Sequence, residues 1–173
     1  ENAVAAIAVA LRMGIDADLI KKAVASFKGV KRRFEYIVNF PEVVYIDDYA
    51  HHPEELRACF DAVRELYPAK KLTVVFQPHL FTRTRDFADA FAEVLSSVDD
   101  LLLLEIYPAR EKPLEGIDAS FLLGKITLDE KAIYTKSEIL DVIANKKPEL
   151  LVTVGAGDID TLVQPLKKLF SHA

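Results

Sequence analysis

The sequence predicts an α/β fold: an open, mostly parallel sheet with helices on both faces, preceded by a short helical segment. Three observations predict it. Four short apolar runs, 43–46, 72–76, 101–104 and 150–154, are rich in β-branched residues or leucine and do not alternate in polarity, as strands buried on both faces do. The first three begin at regular intervals, at 43, 72 and 101, a spacing that fits one strand, one helix and two loops. Amphipathic helical stripes fill the gaps between the runs.

Taken in order, the first thirty residues read as two helices, 2–13 and 16–27, joined at Gly14 and followed by a basic, glycine-containing linker over 28–33. The alanine-rich face of the first helix calls for a partner. Because the chain opens inside a helical pattern and without methionine, it reads as a piece of a longer protein. After the first strand, Leu56, Cys59, Phe60, Val63 and Leu66 form one stripe, with Pro53 suited to a first helical position and Glu54 and Glu55 in the first turn. Phe87, Ala88, Phe91, Val94, Leu95 and Val98 form the second stripe. Ser137 and Glu138 open a third helix carrying Ile139, Leu140 and Ile143; Asp158 opens a last one carrying Leu162, Leu166, Leu169 and Phe170. A short extra strand fits at 132–134.

The composition is that of an ordinary globular chain: 173 residues, 51% hydrophobic and 28% charged. No run is long and apolar enough to cross a bilayer as a helix, and the first residues lack the pattern of a secretion signal. A single cysteine, Cys59, can form neither an internal disulfide nor a multi-cysteine zinc site, which fits a cytoplasmic location. The net charge of −5 gives no reason to expect binding to nucleic acid or to a membrane.

Open parallel sheets bind ligands outside the carboxyl ends of their strands. There the sequence places Asp47-Asp48-Tyr49-Ala50-His51-His52-Pro53, then Gln77-Pro78-His79-Leu80-Phe81-Thr82-Arg83-Thr84-Arg85-Asp86, then Gly155-Ala156-Gly157. The aspartate pair can cap a helix and hold a turn, or accept hydrogen bonds from ribose hydroxyls, or help hold a divalent ion. His51 and His52 can be solvated loop residues, or a neutral imidazole can orient an amine and take its proton. Arg83, near a helix start, can fork a carboxylate or phosphate. Arg85 fits a surface pair with Asp86 or Asp89, and the Thr82 and Thr84 hydroxyls can cap the helix or touch the same anion as Arg83. The glycines of 155–157 suit a tight turn, since the third glycine of a dinucleotide fingerprint is replaced by Asp160. No phosphate-cradling GxxxxGK[ST] element is present. The polar loop 107–113 carries no recognisable spacing.

Together with Arg32-Arg33-Phe34-Glu35, these motifs, in this order and on alternating strands, resemble the C-terminal region of the UDP-N-acetylmuramate:L-alanine ligases, a family of Mur ligases of peptidoglycan synthesis. The resemblance runs along nearly the whole chain. It implies that residues 1–31 are the helical tail of a central ATPase domain and that 32–173 form the family's Rossmann-like C-terminal domain. It implies an ATP-dependent ligase that activates a muramoyl carboxylate as an acyl phosphate, using ATP and Mg2+ held mainly by the central domain, before an L-alanine amine attacks. The isolated chain is expected to be inactive.

By the same resemblance, Asn2 contacts adenine, Arg33 a nucleotide phosphate or ribose, and Asp48 the ribose. His51, His79 and Arg83 carry the amino acid site, Arg83 forking the carboxylate, with Tyr49 and His52 lining the pocket. Leu80 stands where the family commonly has a second arginine after the QPH histidine. Two other readings compete: a tripeptide-adding Mur ligase, which shares the DDxAHHP element, and a metal-dependent phosphoesterase using Asp47, Asp48, His51, His52 and His79. The ligase reading assigns this chain no metal ligand of its own.

Overall fold

The computed structural model describes residues 2–27 and 29–170, with the side chain of Asn2 outside the described residues. Contacts divide the chain into two compact units, one up to Val30 and one from Lys31 onward. In the first, α1 (Asn2–Arg12) and α2 (Ala17–Ser26) are joined at Gly14, whose φ of +77° takes the left-handed conformation that ends a helix. Asp16 caps α2 by accepting the N–H groups of Asp18 and Leu19 at 2.9 and 3.2 Å. Each helix is slightly shorter than its apolar pattern.

The second unit is a six-stranded sheet in the order β1-β2-β6-β3-β4-β5: β1 (Glu35–Asn39), β2 (Val44–Asp48), β3 (Leu72–Phe76), β4 (Asp100–Leu104), β5 (Lys131–Tyr134) and β6 (Leu150–Val154). All neighbouring pairs are parallel except β1 with β2. The predicted strands are present, β2 running on through both aspartates, and 132–134 lies within β5. Strand β1 was absent from the sequence-based expectation. It is an antiparallel edge whose ladder shifts register between Tyr36 and Val38, which blurs the period-two signal.

Alternate strand residues feed two cores. On one face Val44, Ile46, Val74, Phe76, Leu101, Leu103 and Val152 pack with α3 (Pro53–Leu66), α5 (Ala88–Leu95) and α6 (Ala119–Leu123). On the other, Tyr45, Val75, Leu102, Leu104 and Leu151 pack with α7 (Lys136–Lys146) and α8 (Val163–Phe170). Helices therefore cover both faces, as the double burial of the strands requires. None of the helices among the described residues is long and apolar enough to cross a membrane.

Three helix boundaries of the second unit also differ from the sequence reading. The second stripe is split into α4 (Phe81–Asp86) and α5, with the break at Phe87. Thr135, rather than Ser137, precedes α7, its N–H donating to Glu138 Oε2 at 2.7 Å. The last helix begins as a 3-10 turn, Asp158–Leu162, before α8. Thr84 caps nothing: it is buried and its hydroxyl donates back to the Leu80 carbonyl at 2.9 Å.

Asp99 ties the start of β3 to α3, accepting the Leu72 N–H at 2.6 Å and pairing with Arg64 at 2.7 Å. The Arg64 hydrogen bond, with the Leu72 amide, holds its carboxyl below the ordinary 3.8. A carboxylate with a depressed folded-state pKa stabilises the fold above its unfolded value, and that contribution disappears as pH falls through the folded value. Asp99→Asn is therefore expected to lower stability at neutral pH and to flatten the acid limb below about pH 4. Denaturant midpoints at pH 7 and at pH 3 check this; parallel losses at both would remove the role.

Candidate functional site

The carboxyl ends of β2, β3, β4 and β6 open on one edge of the sheet, and their loops converge there. Strands β2 and β3 are not neighbours, because β6 lies between them, roughly 10 Å of sheet. The two histidine-bearing loops nevertheless meet: the His51 and His79 rings are 5.9 Å apart, edge to face. The turn after β6 leaves room for this. A Cβ at Gly157 would lie 2.5 Å from Gln77 Oε1 and 2.6 Å from Tyr107 Cγ, and one at Gly155 would lie 2.8 Å from the Gln77 carbonyl. These glycines serve close packing under the site.

A row of rings results. Tyr49 stands 5.3 Å from His51, His51 leads to His79, and His79 stacks on Tyr107 at 5.7 Å. The Arg32 and Arg33 guanidiniums lie 5.1 and 5.5 Å from the centre of the Tyr49 ring.

The neighbours of each histidine define its tautomer. His51 Nδ1 lies 2.9 Å from the Tyr49 carbonyl and 3.2 Å from Glu55 Oε2, two acceptors, so in the neutral ring Nδ1 carries the hydrogen and Nε2 keeps its lone pair. The Glu55 carboxylate also accepts the His51 and His52 N–H groups at 2.9 and 3.2 Å, fixing the entry to α3. Burial works against those bonds, yet Glu55 stays below the ordinary carboxylate range. His79 is the opposite case. Its Nδ1 faces a pure donor, Arg83 Nη1, at 3.3 Å, so Nδ1 accepts and Nε2 carries the hydrogen. Burial and the positive charge of Arg83 lower its pKa from 6.5, which keeps the ring neutral at pH 7. The edge thus presents one imidazole acceptor, one imidazole donor and one guanidinium.

The two aspartates hold the frame. Asp47 is fully buried, accepts the Thr153 hydroxyl at 2.5 Å and pairs with Arg32 Nε at 3.1 Å. Burial raises its pKa against the pull of Thr153 and Arg32. Since the Thr153 hydrogen goes to Asp47, Tyr45 donates to Thr153 in turn, at 3.1 Å. Asp48 accepts the Phe34 N–H at 2.6 Å and the Ala50 N–H at 2.7 Å, one on each oxygen, which leaves a second lone pair on each.

Of the residues singled out in the sequence, Tyr49, His51, His79 and Arg83 come together, with Arg33 and Asp48 on the flank of Tyr49. His52 does not join the row: its ring packs 4.6 Å from Phe87, toward the break between α4 and α5. Arg85 pairs with Asp86. Asn2, assigned to adenine, has its side chain outside the described residues. Among the described residues no group of three or more His, Cys, Asp or Glu side chains comes together as a metal site. With Asp47 committed to Arg32 and Thr153 and His52 turned away, the phosphoesterase cluster is not built.

Sequence reasoning missed three participants: Arg32, which locks Asp47; Tyr107, which supports His79; and Glu111, which binds α4. Arg32 could be told from Arg33 only by its φ of +56°, and the loop carrying Tyr107 and Glu111 has no periodicity to read.

Residues 32–157 match the family described as the Mur ligase, glutamate ligase domain. A UDP-N-acetylmuramate–L-alanine ligase of Flavobacterium johnsoniae is 51% identical over 99% of this chain, which spans 38% of that relative's length. Among solved structures, a UDP-N-acetylmuramate-alanine ligase from Thermotoga maritima superposes with a TM-score of 0.79 at 27% identity, over 99% of this chain and 37% of that one. A murein peptide ligase from Psychrobacter arcticus shares the fold at a TM-score of 0.68 and 21% identity, over 99% of this chain and 36% of that one. The parallel sheet, the loops converging at its carboxyl edge and the match over most of the chain agree: this chain belongs to the Mur ligase family, as its C-terminal domain.

Proposed function

We propose that this chain supplies the amino acid pocket, and part of the ATP site, of an ATP-dependent ligase that joins L-alanine to UDP-N-acetylmuramate. The observation that carries the reading is the juxtaposition of a guanidinium, a neutral imidazole donor and an imidazole lone pair across two non-adjacent strand ends. An amino acid nucleophile needs this set: a cation for its carboxylate, an acceptor for an amine proton, and a fixed direction of attack.

In this reading Arg83 forks the α-carboxylate, His79 Nε2–H donates to it or to the acyl oxygen, and His51 Nε2 accepts a proton as the amine attacks. Tyr49 closes one side of the pocket. Exposed Arg33 and the remaining lone pairs of Asp48 face the nucleotide. Residues 1–31 belong to the central ATPase domain, with Asn2 at the adenine, and the domain proper runs from residue 32 to 173. ATP with Mg2+ would supply the phosphoryl group that activates the muramoyl carboxylate, and Mg2+ would be held mainly outside this chain. The chain alone is expected to be inactive and the complete ligase to work in the cytoplasm, without nucleic acid or membrane.

The test is phosphate release from ATP by the complete ligase with UDP-N-acetylmuramate and magnesium, across a panel of amino acids. Strong release with L-alanine and weak release with the others is expected; release indifferent to the amino acid would overturn the reading.

A further inference from the structure

The loop between β4 and α6 grips the arginine-bearing helix from two sides. At one, Tyr107 donates its N–H to the Pro78 carbonyl at 2.8 Å, accepts the Leu80 N–H at 2.9 Å and stacks its ring on His79. At the other, Glu111 Oε2 accepts the Thr82 N–H at 3.0 Å, and its second oxygen accepts the Thr82 hydroxyl. Those Thr82 bonds hold the Glu111 carboxyl below its ordinary range, so it is ionised at neutral pH.

This contact replaces something α4 lacks. The residue before α4 is Leu80, which has no polar side chain for the first helical N–H groups and sits at a φ of +73°. A six-residue helix has little stability of its own, so a partner in the tertiary structure decides where its first turn lies. Glu111 is that partner, and the residue it binds is the immediate neighbour of Arg83.

We propose that Glu111 is the positioning residue for Arg83: by binding Thr82 it fixes the first turn of α4 and so aims the guanidinium at the amino acid carboxylate. The inference rests on the amino acid pocket proposed above. Glu111 itself touches no substrate. Its removal leaves the Arg83 charge in place and costs the direction of the fork, a loss that falls on amino acid binding.

The experiment measures Glu111→Ala, Glu111→Gln, Arg83→Ala and the Glu111→Ala/Arg83→Ala pair in the complete ligase, with KM for each substrate, kcat and the thermal midpoint. Glu111→Ala is expected to raise the L-alanine KM about five-fold or more, with kcat and the KM for ATP within about two-fold. Glu111→Gln, which keeps one acceptor oxygen for Thr82, should fall between and serves if the alanine variant does not fold. In the Arg83→Ala background Glu111→Ala should add nothing to the KM.

An L-alanine KM unchanged by either Glu111 variant while Arg83→Ala raises it would overturn this inference alone, as would a lowered midpoint with no change in KM. An equal Glu111→Ala increase with and without Arg83 would show an action not routed through the guanidinium. An L-alanine KM indifferent to Arg83→Ala would overturn the pocket and this inference together.

Discussion

Arg83→Ala is expected to raise the KM for L-alanine about ten-fold or more in the complete ligase, because a charge-assisted, bidentate contact to a carboxylate contributes roughly 1.5 to 3 kcal/mol. The residue sits where such a contact can form. Among the described residues its guanidinium has one hydrogen-bonding partner, His79 Nδ1 at 3.3 Å, longer than an optimal bond, and forms no ion pair with a carboxylate. Guanidinium donors therefore remain for a ligand. In the proposed pocket Leu80 is uncharged, so the Arg83 fork alone would hold the carboxylate and its loss would not be shared. Arg83→Lys should recover part of the affinity, a point charge replacing a planar fork. The KM for ATP should stay within about two-fold, and an unchanged L-alanine KM would take Arg83 out of the site.

The second large effect falls on stability. Arg32→Met removes the cation paired with the fully buried Asp47, and taking one partner from a buried pair costs about 3 to 5 kcal/mol when the other charge stays behind. The loss depends on pH in a defined direction. Asp47 already has a folded-state pKa above its ordinary 3.8, so the folded form holds a proton more tightly than the unfolded form, and acidification relieves the buried charge. The deficit of Arg32→Met should therefore be largest at neutral pH and shrink toward about pH 5. Adding Asp47→Asn should return much of the stability, since no charge is then left unpaired. Urea unfolding of the unmutated protein, the two single variants and the double variant at both pH values measures this; a deficit under about 1 kcal/mol, or one independent of pH, would mean that water reaches Asp47 freely.

How much of this was legible in the sequence follows from the range of the forces involved. Strands β2, β3, β4 and β6 are double-buried apolar runs, and burial on both faces is written directly into composition. Strand β1 was not legible: Tyr36 and Asn39 are exposed and the ladder slips, so neither period nor continuity survives. His51, His79 and Arg83 stand out because they follow strand ends, where open parallel sheets bind their ligands, and the family resemblance gave them roles. The position of His52 was not legible, since the neighbour of His51 could as well have faced the pocket until the Phe87 ring fixed it. Asp47 and Asp48 look equivalent in sequence. They differ because strand alternation turns the first inward to Thr153 and leaves the second at the strand end, where it ties the Phe34 and Ala50 amides.

The strand order also bears on how the chain is made. The two loops that bring His51 and His79 together follow β2 and β3, but the strand that joins them in the sheet is β6, the last to be synthesised. Until Leu150–Val154 leaves the ribosome, the inner borders of β2 and β3 have nothing to bond to, and a nascent domain with two such open borders is vulnerable to pairing with another chain. The two central pairings of the sheet can therefore form only after the last of its six strands has been made. A nascent chain stalled before residue 150 would lack the centre of its sheet, and with it the strand that holds the two histidine loops side by side.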